Sequence, residues 1–200
     1  MAFPSFFSEV APLILRDPLA EFLGAAVGGL IEYRYADAVK LTGHSCPTVA
    51  GAYLLTHRVL AALYPDEMPE RGRIRVDFRA GLTDGVTGVT ASVVGMLTGA
   101  AGMGGFKGLG GNFSRVDLLR FEVEISGEVR FTRQDSGESR TASLQLGHIK
   151  ADSRMAPLLQ RLLSGKQDTV VAEVFAVFWQ DRVRQILIDH FEDPEVVVFR

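Results

Sequence analysis

His44 and Cys46 stand two residues apart in the segment Gly43-His44-Ser45-Cys46-Pro47, and Cys46 is the only cysteine among 200 residues. That spacing lets an imidazole and a thiolate converge on one divalent metal ion, with zinc the best match to the ligand types. The same pair can work as a nucleophile, Cys46, and its base, His44. Pro47 suits the first turn of a helix, and the positive end of a helix dipole favours a thiolate placed before it. The bland alternative is a buried small hydrophobe beside a helix-capping histidine, since an isolated His-x-Cys pair has low specificity.

Three further residues are candidates for ligand contacts. His148 follows a hairpin strand, where it could reach a remote site as an additional ligand. Asp84 stands after a strand and before a helix, where it either caps the helix or supplies a carboxylate for acid–base work. Lys107 lies in residues 98–112, a run with seven glycines between positions 99 and 111. So many glycines permit positive φ angles and close backbone approach. The run lacks the Gly-Lys-Ser/Thr ending of a phosphate-binding loop and the spacing of a dinucleotide-binding turn. It reads either as a mobile loop or as a lid over the cysteine, with Lys107 touching an anionic group. His57 reads as a half-exposed helical residue, and His190 as a complement to the dipole at a helix end.

The elements that must position these residues follow from periodicity and punctuation. Asp17-Pro18 opens a helix to about Ala26. Leu30–Arg34 alternates as a short strand, and a second helix runs from Tyr35 to Gly43. A third runs from Pro47 to Pro65. Arg73–Arg79 alternates as a half-buried strand. Thr83 or Asp84 caps a helix reaching Val94–Leu97. Val116–Phe131 reads as one or two strands, and Asp135-Ser136-Gly137 turns a hairpin between Val129–Thr132 and Thr141–Leu146. Ala156–Ser164 is a short helix. Thr169–Phe191 is a long amphipathic one, with Val170, Val174, Val177, Phe178, Val183, Ile186 and Leu187 near one face. Val196–Phe199 adds a terminal strand. The expected class is α+β, a mainly antiparallel sheet with flanking helices, a Gly-rich loop and a long C-terminal amphipathic helix. The organisation is an N-terminal arm (1–16), a core (17–150) and a C-terminal helical extension of the same domain (151–200).

Composition narrows the function classes. Charged residues make up 22% and the formal net charge is −3, so no positive field recruits nucleic acid or an anionic membrane. One cysteine rules out an internal disulfide and a zinc knuckle built from cysteine pairs. No run of 18 apolar residues marks a membrane span. The N-terminal Met1–Phe7 lacks a basic start and reads as an exposed arm that docks on a partner. A lone thiol suits a reducing cytoplasm.

Gly43-His44-Ser45-Cys46-Pro47, followed by an Ala/Gly-rich helix, resembles the Gly-His-x-Cys-Pro-Gly signature of the FmdE family, named for a component of formylmethanofuran dehydrogenase. Asp84-Gly85-Val86 with Thr87-Gly88 is similar to that family's Asp-Ala-Ile-Gln segment and the Thr-Gly after it. Phe131–Glu138, continued by Arg140, resembles its Phe-x-Arg-x-Asp-Thr-Gly hairpin. The similarity spans roughly residues 35–147 with the motifs in the same order. It implies an α+β core, a homodimer that exchanges elements, and a His and Cys lining an active cleft, often with a metal. It implies no particular reaction. Thr42, Thr48, Thr83 and Val89 stand where members often carry His, Gly, Cys and Cys, and the C-terminal zinc-binding cysteine cluster is lacking. These departures leave an open site at His44 and Cys46, completed by solvent or a partner, and the leading expectation is a homodimer that acts there on a small molecule in one-carbon or redox metabolism. The rival expectation is a non-catalytic accessory protein whose His44 and Cys46 are structural.

Overall fold

A computed structural model describes residues 3–165 and 168–200. Its central element is helix α3, Pro47–Leu63, with Cys46 at the N-cap position and Pro47 at the first helical position. A proline is tolerated there because first-turn N–H groups have no helical partner to lose. Val49, Tyr53, Leu54, Leu60 and Leu63 are fully enclosed, so α3 is buried on nearly every side. Helix α2, Tyr35–Thr42, precedes it; the Asp37 carboxylate accepts the Arg34 N–H at 2.9 Å, and Gly43 ends the helix in the left-handed region, at φ 76°. A non-glycine residue would be strained at that angle. Gly43 thus turns the chain sharply and sets His44, Ser45 and Cys46 between two helices.

Strands β1, Leu13–Arg16, and β2, Leu30–Tyr33, pair antiparallel around the short helix α1, Pro18–Phe22. The main sheet contains β3 (Ile74–Phe78), β4 (Leu119–Arg120), β5 (Val129–Arg133), β6 (Ser139–Leu144) and β7 (Val197–Phe199), in the order β4-β3-β5-β6-β7. The β3–β4 pair is parallel and the others antiparallel. Helix α4, Thr87–Thr98, packs against α3, and α3 lies across β6. Gly51 permits that approach: a Cβ there would overlap the Leu144 side chain. Helices α5, Met155–Leu163, and α6, Thr169–Arg184, follow. Helix α6 continues through a π-helical turn, Gln185–Asp189, which makes the C-terminal helix 21 residues long. The architecture is α+β, with a mixed five-strand sheet and a separate two-strand pair. No helix among the described residues is long and apolar enough to cross a membrane.

Several expectations change. The N-terminal segment is not an exposed arm: Phe6, Phe7 and Val10 are buried in the chain's own core, and Phe7 meets Tyr35 edge-on at 4.8 Å. Residues 116–128 do not form a continuous strand. Asp117 and Glu122 hold φ angles of 60° and 58°, which extended backbone excludes, and only Leu119–Arg120 pair with β3. Neither Thr83 nor Asp84 caps α4. Gly85, at φ 53°, breaks the segment first, and the helix begins at Thr87. The long C-terminal helix does not present one apolar face. Val183, Ile186 and Leu187 are buried, whereas Val170, Val174 and Val177 are exposed. The 3.6-residue turn sets these two groups on opposite sides of the helix.

Candidate functional site

Ser45 is the anchor of the His44-Ser45-Cys46 loop. The Trp179 indole N–H donates to the Ser45 carbonyl at 2.8 Å, and the Gln180 amide donates to it at 3.4 Å. The Ser45 hydroxyl donates to Gln180 Oε1 at 3.0 Å, so its lone pair is left to accept the Tyr35 hydroxyl at 2.9 Å. Burial pushes the Tyr35 phenol well above its ordinary value, and a negative charge at Cys46 pushes the same way. Tyr35 therefore remains a donor. The C-terminal helix reaches back over some 130 residues of sequence to hold this loop.

The flanking residues are left more open. Cys46 is half-buried against the core, and its Sγ accepts the Val49 N–H at 3.5 Å. His44 is exposed, with Nδ1 2.9 Å from the Thr42 carbonyl. A carbonyl can only accept, so Nδ1 carries the proton and Nε2 is free as a base or ligand. The Thr42 hydroxyl donates to the His44 carbonyl at 3.0 Å and steadies the turn.

Two grooves flank the loop, separated by the first turns of α4. A shallow one of about 240 Å³ is lined by Leu41, Thr42, His44, Gly88, Val89 and Ser92. A larger cleft of about 370 Å³ begins at Thr48, two residues beyond Cys46, and runs between α3, α4 and the sheet. Leu55, Phe78, Val129 and Leu144 give it an apolar wall, while Arg79 and Glu128 add charge. Arg79 is exposed and forms no ion pair with another described residue.

A closed metal site does not form at this loop. Zinc takes four ligands, or three with an open position. Among the described residues no third His, Cys, Asp or Glu joins His44 and Cys46 to make a ligand group. His44 and Cys46 alone are fewer ligands than zinc takes, so a metal here would need more than the His, Cys, Asp and Glu side chains that the described residues bring to this loop.

The remaining candidates lie apart from Cys46. The Asp84 carboxylate accepts the Gly81 N–H at 2.8 Å and closes a surface turn. Lys107 is exposed in the Gly-rich run. That run lines neither groove beside Cys46. It packs instead around a buried Asp17, whose carboxylate receives Arg71 and Arg115 at 2.7 Å each. Gly99 and Gly105 bring the backbone close to Arg115, which explains part of the glycine content without a lid. His148 meets Asp193 at 3.3 Å, and His190 meets the same oxygen at 2.7 Å. These three form the one group among the described residues whose ligand atoms could converge on a metal, all within 4.8 Å of one another.

The sequence reading missed Trp179, Gln180, Arg79 and Asp193. Trp179 and Gln180 look like ordinary positions on an amphipathic helix. His190-x-x-Asp193 was visible as a His and Asp at one-turn spacing, but its third member is 42 positions away. Compared with known proteins, the chain matches no family model and no curated protein sequence.

Proposed function

We propose that this chain is an FmdE-like protein in which Cys46 acts as a nucleophilic thiol on a small molecule of one-carbon or redox metabolism. The supporting observation is how the loop is held. Tyr35, Trp179 and Gln180 all bind Ser45, while His44 Nε2 and the Cys46 sulfur on either side are left available. Rigid support beneath an exposed imidazole and a half-buried thiol is what a working site needs, because a misplaced nucleophile loses most of its advantage. Cys46 also faces the N-terminal end of a 17-residue helix, where unpaired N–H groups favour negative charge.

His44 is the base in this reading. No hydrogen bond joins the two side chains among the described residues, so proton transfer runs through a bridging water or a turn of the exposed imidazole. The cleft beside Thr48 has the volume of a small-molecule site and an apolar wall. Arg79, rather than Lys107, is placed to meet an anionic group on the substrate. A divalent metal would bind at His44 and Cys46 only with further ligands from the substrate or a second copy of the chain. A homodimer fits the exposed stripe of Val170, Val174 and Val177, which a folded monomer leaves in water. A reducing cytosol would keep the lone thiol free.

The test compares the purified chain with Cys46→Ser and His44→Ala. Metal content is measured by elemental analysis, and covalent adducts with a panel of small aldehydes and thioesters by mass spectrometry. Adducts confined to Cys46 and diminished by His44→Ala are expected. An inert Cys46, with metal content unchanged by both substitutions, would move the reading to an accessory protein whose His44 and Cys46 are structural.

A further inference from the structure

We infer that His148, His190 and Asp193 form a binding site for a borderline divalent metal, zinc foremost, that clamps the end of the C-terminal helix to the loop leaving β6. The two imidazoles and one carboxylate are ligand types that suit zinc and its neighbours. Both imidazoles already converge on one carboxylate oxygen, and the three ligand atoms lie within 4.8 Å of one another, so small side-chain rotations bring them onto one ion. With metal–ligand distances of about 2.0–2.2 Å, tetrahedral ligand atoms stand roughly 3.3–3.5 Å apart. His148 Nε2 is already 3.3 Å from Asp193 Oδ2. His190 Nδ1, at 2.7 Å from the same oxygen, must move out by roughly half an ångström when a metal replaces the shared proton.

Each ligand stands on a fixed support. His148 lies between Gly147, whose carbonyl takes the Lys150 ammonium at 2.6 Å, and the buried Ile149, whose carbonyl takes Arg182 at 3.3 Å. The other oxygen of Asp193 accepts the Glu195 N–H at 2.8 Å, which aims Oδ2 at the histidines. Such outer partners orient metal ligands. His190 follows the π-helical turn Gln185–Asp189 and closes it, donating its N–H to the Gln185 carbonyl at 2.9 Å. The extra residue in that turn rotates the helix end and carries His190 to within 5.5 Å of the His148 ring, centroid to centroid. π-Turns of this kind concentrate at functional sites.

The role is structural. Neither groove beside Cys46 is lined by His148, His190 or Asp193, and nor is the cleft at Asp17, Arg71 and Arg115. The elements they join are the exit of β6 and the approach to β7, which pair as neighbours in the sheet. The same C-terminal helix carries Trp179 and Gln180 to Ser45, so a metal here would also stiffen the support of the Cys46 loop. Three protein ligands leave a fourth position for water, and His148 is exposed enough to admit one.

The test uses the full, untagged chain, stripped by a chelator and titrated with zinc ion in calorimetry and thermal unfolding. One equivalent is expected to bind and to raise Tm by about 5–10 °C at roughly a hundredfold excess over Kd. Asp193→Asn and His190→Ala are each expected to weaken binding on the order of 100-fold or more. His148→Gln, at an exposed position, should do the same without risk to folding, and Cys46→Ser should leave binding unchanged. Cobalt ion should give visible bands without a thiolate charge-transfer band. Absence of zinc stabilisation in the unaltered chain would overturn the inference, as would equal binding by the three variants. A thiolate band that disappears in Cys46→Ser would overturn it too, by placing the metal at the other loop.

Discussion

Trp179→Phe removes one hydrogen-bond donor from the support of the Cys46 loop while keeping an aromatic ring against Phe175, 5.6 Å away. The lost bond is the 2.8 Å contact to the Ser45 carbonyl, which then retains only the Gln180 amide at 3.4 Å. A neutral bond of this kind contributes about 1 kcal/mol net, within a range of roughly 0.5–1.5. If the loop opens locally, its open population should therefore rise about fivefold. Adding Gln180→Ala removes both the 3.0 Å acceptor of the Ser45 hydroxyl and the long 3.4 Å donor to its carbonyl, bringing the total to about 2–3 kcal/mol and the rise to roughly 30- to 150-fold. Native-state hydrogen exchange reads this at the Val49 and Ala50 amides, which bond to the Cys46 sulfur and carbonyl. Asp17→Ala is the control, since it lowers global stability from the opposite end of α4 and should leave these two amides unaccelerated beyond the global change. Unchanged exchange at Val49 and Ala50 in Trp179→Phe and in the double variant would refute the idea that the C-terminal helix holds the loop.

Asp17→Ala should itself cost about 3–5 kcal/mol in urea unfolding, because it strands Arg71 and Arg115 and removes the α1 cap; a loss under about 1 kcal/mol would count against a buried ion cluster. Burial alone would raise the Asp17 carboxyl, but the hydrogen bonds from Arg71 and Arg115 outweigh it and hold the group below its ordinary 3.8. Its stabilisation should thus be complete above pH 3.8 and fade as pH falls through the lower folded value, an acid loss that Asp17→Asn would reduce. Burial pushes the His57 imidazole below 6.5, so the unfolded chain binds more protons there, and stability should drop as pH falls below 6.5. His57→Gln should flatten that slope in pH-dependent urea unfolding. Val174→Glu with Val177→Glu should leave monomer stability within about 0.5 kcal/mol and abolish dimer in sedimentation velocity, if the exposed stripe is the dimer contact.

The sequence was most informative where punctuation is local. Pro18, Gly43, Pro47 and Asp135-Ser136-Gly137 each mark a boundary by their own backbone preference, and α2, α3 and the β5–β6 hairpin begin or end beside them. It was least informative where tertiary contacts decide. The apolar alternation of residues 116–128 resembles a strand, yet left-handed Asp117 and Glu122 let the segment wrap the sheet edge. The Gly-rich run reads as a lid because glycine permits close approach, but nothing local says to what; the partner turned out to be Arg115 and its neighbours. The loop at His44 and Cys46 was legible as a loop before a helix. Its support was not, because Trp179 and Gln180 lie more than 130 positions away and carry no local signal. The same holds for His148 with His190 and Asp193, which a strand exit and a π-turn bring together.

The central claim is that Cys46 is a reactive thiol in its folded setting. Its most direct test is the second-order rate of alkylation by iodoacetamide at neutral pH, measured on the native chain and on the same chain unfolded in urea. The native rate should exceed the unfolded one and fall toward it in His44→Ala. A native thiol that reacts more slowly than the unfolded one, with or without His44, would contradict the claim and leave Cys46 as a helix cap.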